Sequence, residues 1–173
     1  MRRIECLGAA LIPALLLGGC MGSTGSRVAA PATATAVAPA MLASAYVAAA
    51  SIDLYEIQSA QLALERASDP QIRTYAQQSL VAHEGTSGQL SMAGRRLNLL
   101  PTATLSPEHQ AMLDALRATP DFDNTYRAHQ AILLKEGLAL HGGYARSGQS
   151  PTLRPVARNA EEVMRRSRQG LPR

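Results

Sequence analysis

Apolar and polar positions divide the chain into three stretches of different character. Leu7 to Leu17 form an apolar run behind a basic start, Arg2 and Arg3, and the run closes at Leu17-Gly18-Gly19-Cys20. From Met21 to about Ala40 the chain is mostly Gly, Ser, Thr, Ala and Pro with almost no charge, the composition of a flexible tether. Beyond Met41 apolar residues recur three and four apart, the period of an amphipathic helix.

The pattern predicts four long helices and one short one. In the first, Val47, Ala50, Leu54, Ile57, Gln61 and Leu64 fall on one stripe that ends near Ala67. Ser68-Asp69-Pro70 then reads as a cap with proline in the first helical turn. The second helix presents Ile72, Ala76, Ser79, Leu80, His83, Leu90 and Leu97, with Gly85, Gly88 and Gly94 inside it. Each of those glycines costs about 1 kcal/mol against alanine, so packing must hold this helix, and close approach of a neighbour is one use for them. Asn98 to Pro107 is a connection, and Ser106-Pro107-Glu108 opens a short helix through Arg117. Pro120-Asp121 opens the third long helix, which carries Phe122, Tyr126, Leu133, Leu140 and Tyr144. Gly142-Gly143 weakens its last turns. Ser150-Pro151 starts the fourth, with Pro155 pushing its regular part later.

Two of these helices echo the other two. The first and third share Tyr-x9-Glu, Tyr46 to Glu56 and Tyr126 to Glu136, at an offset of eighty. The second and fourth share Pro-x-[Ile/Leu]-Arg-x-[Tyr/Val]-Ala, Pro70 to Ala76 and Pro151 to Ala157, at an offset of eighty-one. A duplicated helical hairpin gives matches in this order. Two such hairpins joined by a longer crossover make an all-α four-helix bundle of ferritin-like type, with the short extra helix in the crossover. The bundle domain is expected over 41–168, with 169–173 as a disordered tail.

Residues 1–19 have the layout of a secretory signal, with small residues placed before the cleavage point. With Cys20 they resemble the lipobox of bacterial lipoproteins, in which the cysteine is acylated and becomes the mature N-terminus. Plain cleavage would release the protein, and retention would leave a spanning helix. The run is shorter than the roughly 20 residues a span needs, and Pro13, Gly18 and Gly19 interrupt it. Each buried acyl methylene contributes about 0.8 kcal/mol to anchoring. Residue 21 is Met, where Asp would hold a lipoprotein at the inner membrane by the enterobacterial rule, so the expected destination is the outer membrane, with the domain facing the periplasm.

Composition narrows the chemistry. The chain has two cysteines; Cys6 leaves with the signal and Cys20 is the lipidation site, so no disulfide or thiolate metal site is expected. With no Trp and one Phe, the core must come from aliphatic residues and a few Tyr. The formal charge is +4, which falls to about +3 once Arg2, Arg3 and Glu5 are gone. Six arginines, Arg154, Arg158, Arg165, Arg166, Arg168 and Arg173, crowd the C-terminal end. They read as a solvated helix face, with anionic headgroups or other envelope polyanions as the alternative contact. Nucleic acid is not expected as a partner, because the chain is exported and lacks interleaved aromatics for base stacking.

Ferritin-like bundles build a di-metal site from a Glu on each of two helices and Glu-x-x-His on the other two. Glu-x-x-His occurs nowhere in this sequence. Under the repeat, Glu56 and Glu136 are equivalent, Leu80-x-x-His83 stands at one Glu-x-x-His place, and Glu161-x-x-Met164 at the other. The candidate metal ligands are therefore Glu56, His83, Glu136 and Glu161, for a weakly bound divalent cation. The same residues have a plainer reading: His83 as a hydrogen-bonded core residue partnered by Glu56, and Glu136 and Glu161 as surface charges. His109, His129 and His141 lie outside any His-Glu-x-x-His spacing. With no Gly-x-Ser-x-Gly elbow, no phosphate loop and no free cysteine, no enzyme is expected.

From about Met41 to Arg168 the chain resembles the domain of unknown function 4142 family. The resemblance rests on Leu54-x-Glu56, Leu62-Ala63-Leu64-Glu65-Arg66-Ala67-Ser68-Asp69-Pro70, and Tyr75-Ala76-Gln77-Gln78-x-x-x-x-His83. Asp121-Phe122-Asp123-x-x-Tyr126 and Ser147-Gly148 continue it. It implies an exported ferritin-like bundle of no established activity. Further histidines of the relatives' second hairpin fall on Leu134 and Ser167 here, which argues against metal in this member. The reading is a lipid-anchored, non-enzymatic interaction or envelope-maintenance domain with an unidentified envelope partner; the alternative is a degenerate metal-binding or metal-storage module.

Overall fold

A computed structural model describes residues 40–49 and 51–173; the signal, Cys20 and the tether up to residue 39 lie outside the described residues. Six α-helices and no strand occur among the described residues: α1 Ala43–Ala48, α2 Ser51–Arg66, α3 Pro70–Arg95, α4 Pro107–Ala118, α5 Phe122–Ser147 and α6 Leu153–Gly170. The expected first helix is thus two segments, with Ala49 at φ −75°, ψ 2° closing α1.

Local chemistry sets the boundaries. The Asp69 carboxylate accepts from the Gln71 amide at 2.8 Å with Pro70 in the first turn, and the Ser106 hydroxyl accepts from the His109 amide at 3.2 Å ahead of α4. At the end of α3, Asn98 takes φ 55°. That left-handed residue lets the Leu99 amide return to the Gly94 carbonyl at 2.9 Å and the Asn98 amide to Arg95 at 3.2 Å, a Schellman closure. A Cβ on Gly94 would collide with the Leu99 carbonyl oxygen. Gly85 and Gly88 face open space, so of the three glycines in α3 only Gly94 serves a close approach.

Contacts between helix ends fix the topology. Ser51 at the start of α2 meets Ser106 and His109 at the start of α4. Arg66 at the end of α2 donates to the Leu116, Arg117 and Thr119 carbonyls at the end of α4, and its guanidinium lies 4.9 Å from the Phe122 ring. So α4 runs alongside α2 in the same direction and delivers the chain back to the α2–α3 turn. There Asp123 accepts the Ser68 and Asp69 amides at 3.1 and 2.9 Å. Helices α2, α3, α5 and α6 therefore run up, down, down and up, as two antiparallel hairpins joined by the α4 crossover.

Three apolar clusters stack along the bundle. At the α1 end Tyr46, Leu90, Tyr144 and Leu153 pack together, with the Tyr46 and Tyr144 rings stacked at 4.0 Å. Ile52, Tyr55, Leu113, Leu133 and Met164 fill the middle. Ile72, Tyr75, Leu116, Phe122 and Tyr126 close the other end.

The inner face of α2 departs from the expected stripe. Leu54, Ile57 and Leu64 are only half-buried and Gln61 is exposed. The buried residues are Ser51, Ile52, Asp53, Tyr55, Glu56, Ser59, Ala60 and Ala63. The helix turns a face containing Asp53, Glu56 and Ser59 inward, where α3 receives Asp53 through His83 and Thr86 and α5 receives Ser59 through Gln130.

The repeat also needs a correction. The α3–α6 offset of eighty-one holds in burial: Ile72 and Leu153, Ala76 and Ala157, Ser79 and Ala160, His83 and Met164 are all buried pairs. The α2–α5 pair obeys the same offset, with Ile52 matching Leu133, Asp53 matching Leu134, Ala60 matching His141 and Ala63 matching Tyr144. Glu56 then corresponds to Gly137, which is also buried, and not to Glu136. The Tyr-x9-Glu match at eighty pairs a fully buried glutamate with an exposed one.

Candidate functional site: a polar core within the first hairpin

The stretch from Tyr46 to Tyr55 reaches every histidine of the chain. The Tyr46 hydroxyl meets His141 Nδ1 at 3.0 Å, Ser51 Oγ meets His109 Nδ1 at 2.7 Å, and the Tyr55 hydroxyl meets His129 Nδ1 at 2.8 Å. Asp53 takes the fourth, with Oδ1 2.8 Å from His83 Nδ1. Thr86, one turn beyond His83, donates its hydroxyl to the same oxygen at 2.9 Å. Asp53-x-x-Glu56 on α2 and His83-x-x-Thr86 on α3 are each three residues apart, so each pair projects from one helix face.

Glu56 stands beside this pair and has no donor. Its side chain is fully buried, and neither carboxyl oxygen has a hydrogen-bond partner; the same holds for Ser79 Oγ and His83 Nε2. Burial pushes the Glu56 carboxyl above the usual carboxylate range, against the opposing pull of the nearby His83. Gln130 and Ser79 lie near enough to ease the charged form without completing a hydrogen bond. Gln130 itself accepts from Tyr75 at 3.1 Å and donates to Ser59 at 3.3 Å. Burial works against the imidazolium of His83, yet the Asp53 hydrogen bond and the Glu56 charge together hold its pKa above the ordinary value. Burial alone lowers His129, and burial foremost lowers His141.

The four expected ligands do not converge. Glu56 and His83 share the core of the first hairpin. The Glu136 side chain is 46% exposed and lies 3.4 Å from His109 on the α4 side. Glu161 sits at the rim, paired with Arg165 at 2.5 Å and leaning over Gly142. Among the described residues no three His, Cys, Asp or Glu side chains gather as a metal group.

The reason lies in the second hairpin. Where the first carries Glu56 and His83, the second carries Gly137 and Met164. The Met164 Cε lies 2.6 Å from the point a Cβ on Gly137 would occupy. A thioether fills the volume of the missing carboxylate. A two-metal centre needs acidic ligands from both hairpins, and the residues present do not fit one.

Ser51, His109 and Glu136 have the residue types of a nucleophile relay. However, Ser51 is 4% exposed, and its oxygen already accepts the Ser106 amide at 2.7 Å. The trio knots the starts of α2 and α4 to α5. Sequence reasoning missed Asp53, the strongest partner of His83. Its i,i+3 spacing to Glu56 was the available signal.

Of the polar core, Ser79 borders the outside. It lines a cleft of about 230 Å³ between α3 and α6, together with Tyr75, Gln78, Ala82, Val163 and Arg166. No helix among the described residues is long and apolar enough to cross a membrane.

No curated protein and no solved structure matches the chain. A family profile does match, over residues 26–170, which takes in all six helices. The chain belongs to the family described as Domain of unknown function (DUF4142).

Proposed function

We propose that the protein is an envelope lipoprotein, anchored through an acylated Cys20 at the outer membrane and presenting a non-enzymatic helical domain to the periplasm. The observation that carries this reading is the order Arg2-Arg3, the apolar Leu7–Leu17 run, and Leu17-Gly18-Gly19-Cys20, followed by about twenty residues of tether whose one charge is Arg27. The domain behind that tether supports an interaction role over a catalytic one. Asp53, Glu56 and His83 are each at most 2% exposed, so the groups with chemistry are withdrawn from the surface. The exposed faces are helical and rich in charge, with Arg154, Arg158 and Arg168 outward on α6. The up–down–down–up order is the one ferritin-like bundles use, here with one half of the ligand positions made apolar.

Fractionation of cells expressing wild type and Cys20→Ser tests the anchor. Wild type is expected in the outer-membrane fraction and to incorporate labelled palmitate, and Cys20→Ser to appear in the soluble periplasmic or precursor fraction. Equal membrane association of the two proteins would overturn the reading.

A further inference from the structure

Glu56 presents two oxygens without donors, His83 an Nε2 without a partner, and Ser79 an Oγ without a partner, all of them buried in the α2–α3 hairpin. Buried polar atoms without partners are rare, and a local group of four from three residues calls for an occupant. His83 is prepared as a ligand. Its Nδ1 is committed to Asp53, which Thr86 holds in turn, and this carboxylate–imidazole arrangement fixes the ring and leaves Nε2 as the coordinating atom. A cation on Nε2 displaces the protons that the ring and Glu56 otherwise hold, and the two carboxylates then balance a dication inside a low-dielectric core. Ser79 touches both this group and the α3–α6 cleft, so the site borders solvent at one residue.

We propose that Glu56, His83 Nε2 and Ser79 Oγ form a site for one divalent transition-metal cation, with Asp53 and Thr86 as positioning residues. Mixed imidazole and oxygen donors suit Zn²⁺, Fe²⁺ or Mn²⁺ over Ca²⁺. The site is one-sided: the equivalent positions of the second hairpin, Gly137 and Met164, carry no carboxylate or imidazole and pack on each other, which sets the stoichiometry at a single ion. It does not depend on the lipoprotein reading.

The test uses the full-length protein in detergent, stripped with a chelator and titrated with Zn²⁺ by calorimetry, with bound metal counted by mass spectrometry. One ion per chain is expected. Glu56→Gln and His83→Gln should each weaken binding at least about 100-fold. Ser79→Ala and Thr86→Val keep every charged group in place and should each weaken it about tenfold, the usual effect of losing a supporting contact. Glu136→Gln and Glu161→Gln should bind as wild type does. No saturable binding, two ions per chain, loss in Glu136→Gln or Glu161→Gln, or unchanged affinity in both Ser79→Ala and Thr86→Val would overturn the proposal.

Discussion

Glu56 makes the stability of the metal-free bundle depend on pH. Its folded pKa is raised by burial, so over the range above its ordinary value the folded state holds a proton that the unfolded chain has released. Stability from this group is therefore greatest below the ordinary pKa and declines as pH climbs toward the folded value. His83, also raised, adds stability that is complete below its ordinary pKa and is lost as pH rises through the folded one. His141 has the opposite sign: its pKa is lowered, so its contribution is complete above the ordinary imidazole value and fades as pH falls. These terms predict a stability maximum on the mildly acidic side of neutrality. Glu56→Gln in chelator-treated protein should melt higher than wild type at pH 8 by a few degrees and lose that advantage at pH 5. Thermal melts across pH 4.5–8.5 check this, and parallel curves for the two proteins would contradict it.

Among the elements, α1 and α6 make the sharpest predictions. The six residues of α1 are too few to be helical alone. They are held by the Tyr46–Tyr144 stack and by the Tyr46–His141 hydrogen bond. Tyr46→Phe keeps the stack and removes the bond, leaving both His141 nitrogens buried without partners, at a cost of about 1–2 kcal/mol. Hydrogen exchange should show the loss first at the α1 amides. On α6, Met164→Ala removes a fully buried side chain and should cost about 2–5 kcal/mol. Adding Gly137→Ala to that variant should recover part of the loss, because the new methyl enters the space the thioether leaves, whereas Gly137→Ala alone crowds Met164. A double-mutant cycle in urea measures the coupling; strict additivity would show that the two residues do not share that space.

What was legible in the sequence follows the same scale. Caps were legible, since Asp69-Pro70 and Ser106-Pro107 announce their helices through side chains that bond the first amides. The inner face of α2 was not, because hydrophobic periodicity cannot see a face whose inward residues include Asp53, Glu56 and Ser59. The break at Ala49 leaves no glycine or proline to mark it. The repeat was legible in α3 and α6 but displaced by one residue between α2 and α5, where a Tyr and a Glu match by identity and not by environment. That one-residue displacement drew Glu136 into the ligand set and hid Gly137.

For the molecule as a whole, the asymmetry between the hairpins matters most. The first keeps Asp53, Glu56, Ser79 and His83 inside, and the second fills the equivalent positions with Leu134, Gly137, Ala160 and Met164. The two halves share a backbone plan and differ in what their interiors accept. The comparison that tests this most directly is the unfolding free energy of Asp53→Ala against Glu136→Ala. Asp53→Ala, which strands a buried imidazole, should lose about 3–5 kcal/mol, and the exposed Glu136→Ala should stay within about 0.5 kcal/mol of wild type. Equal, small effects at both positions would contradict that asymmetry.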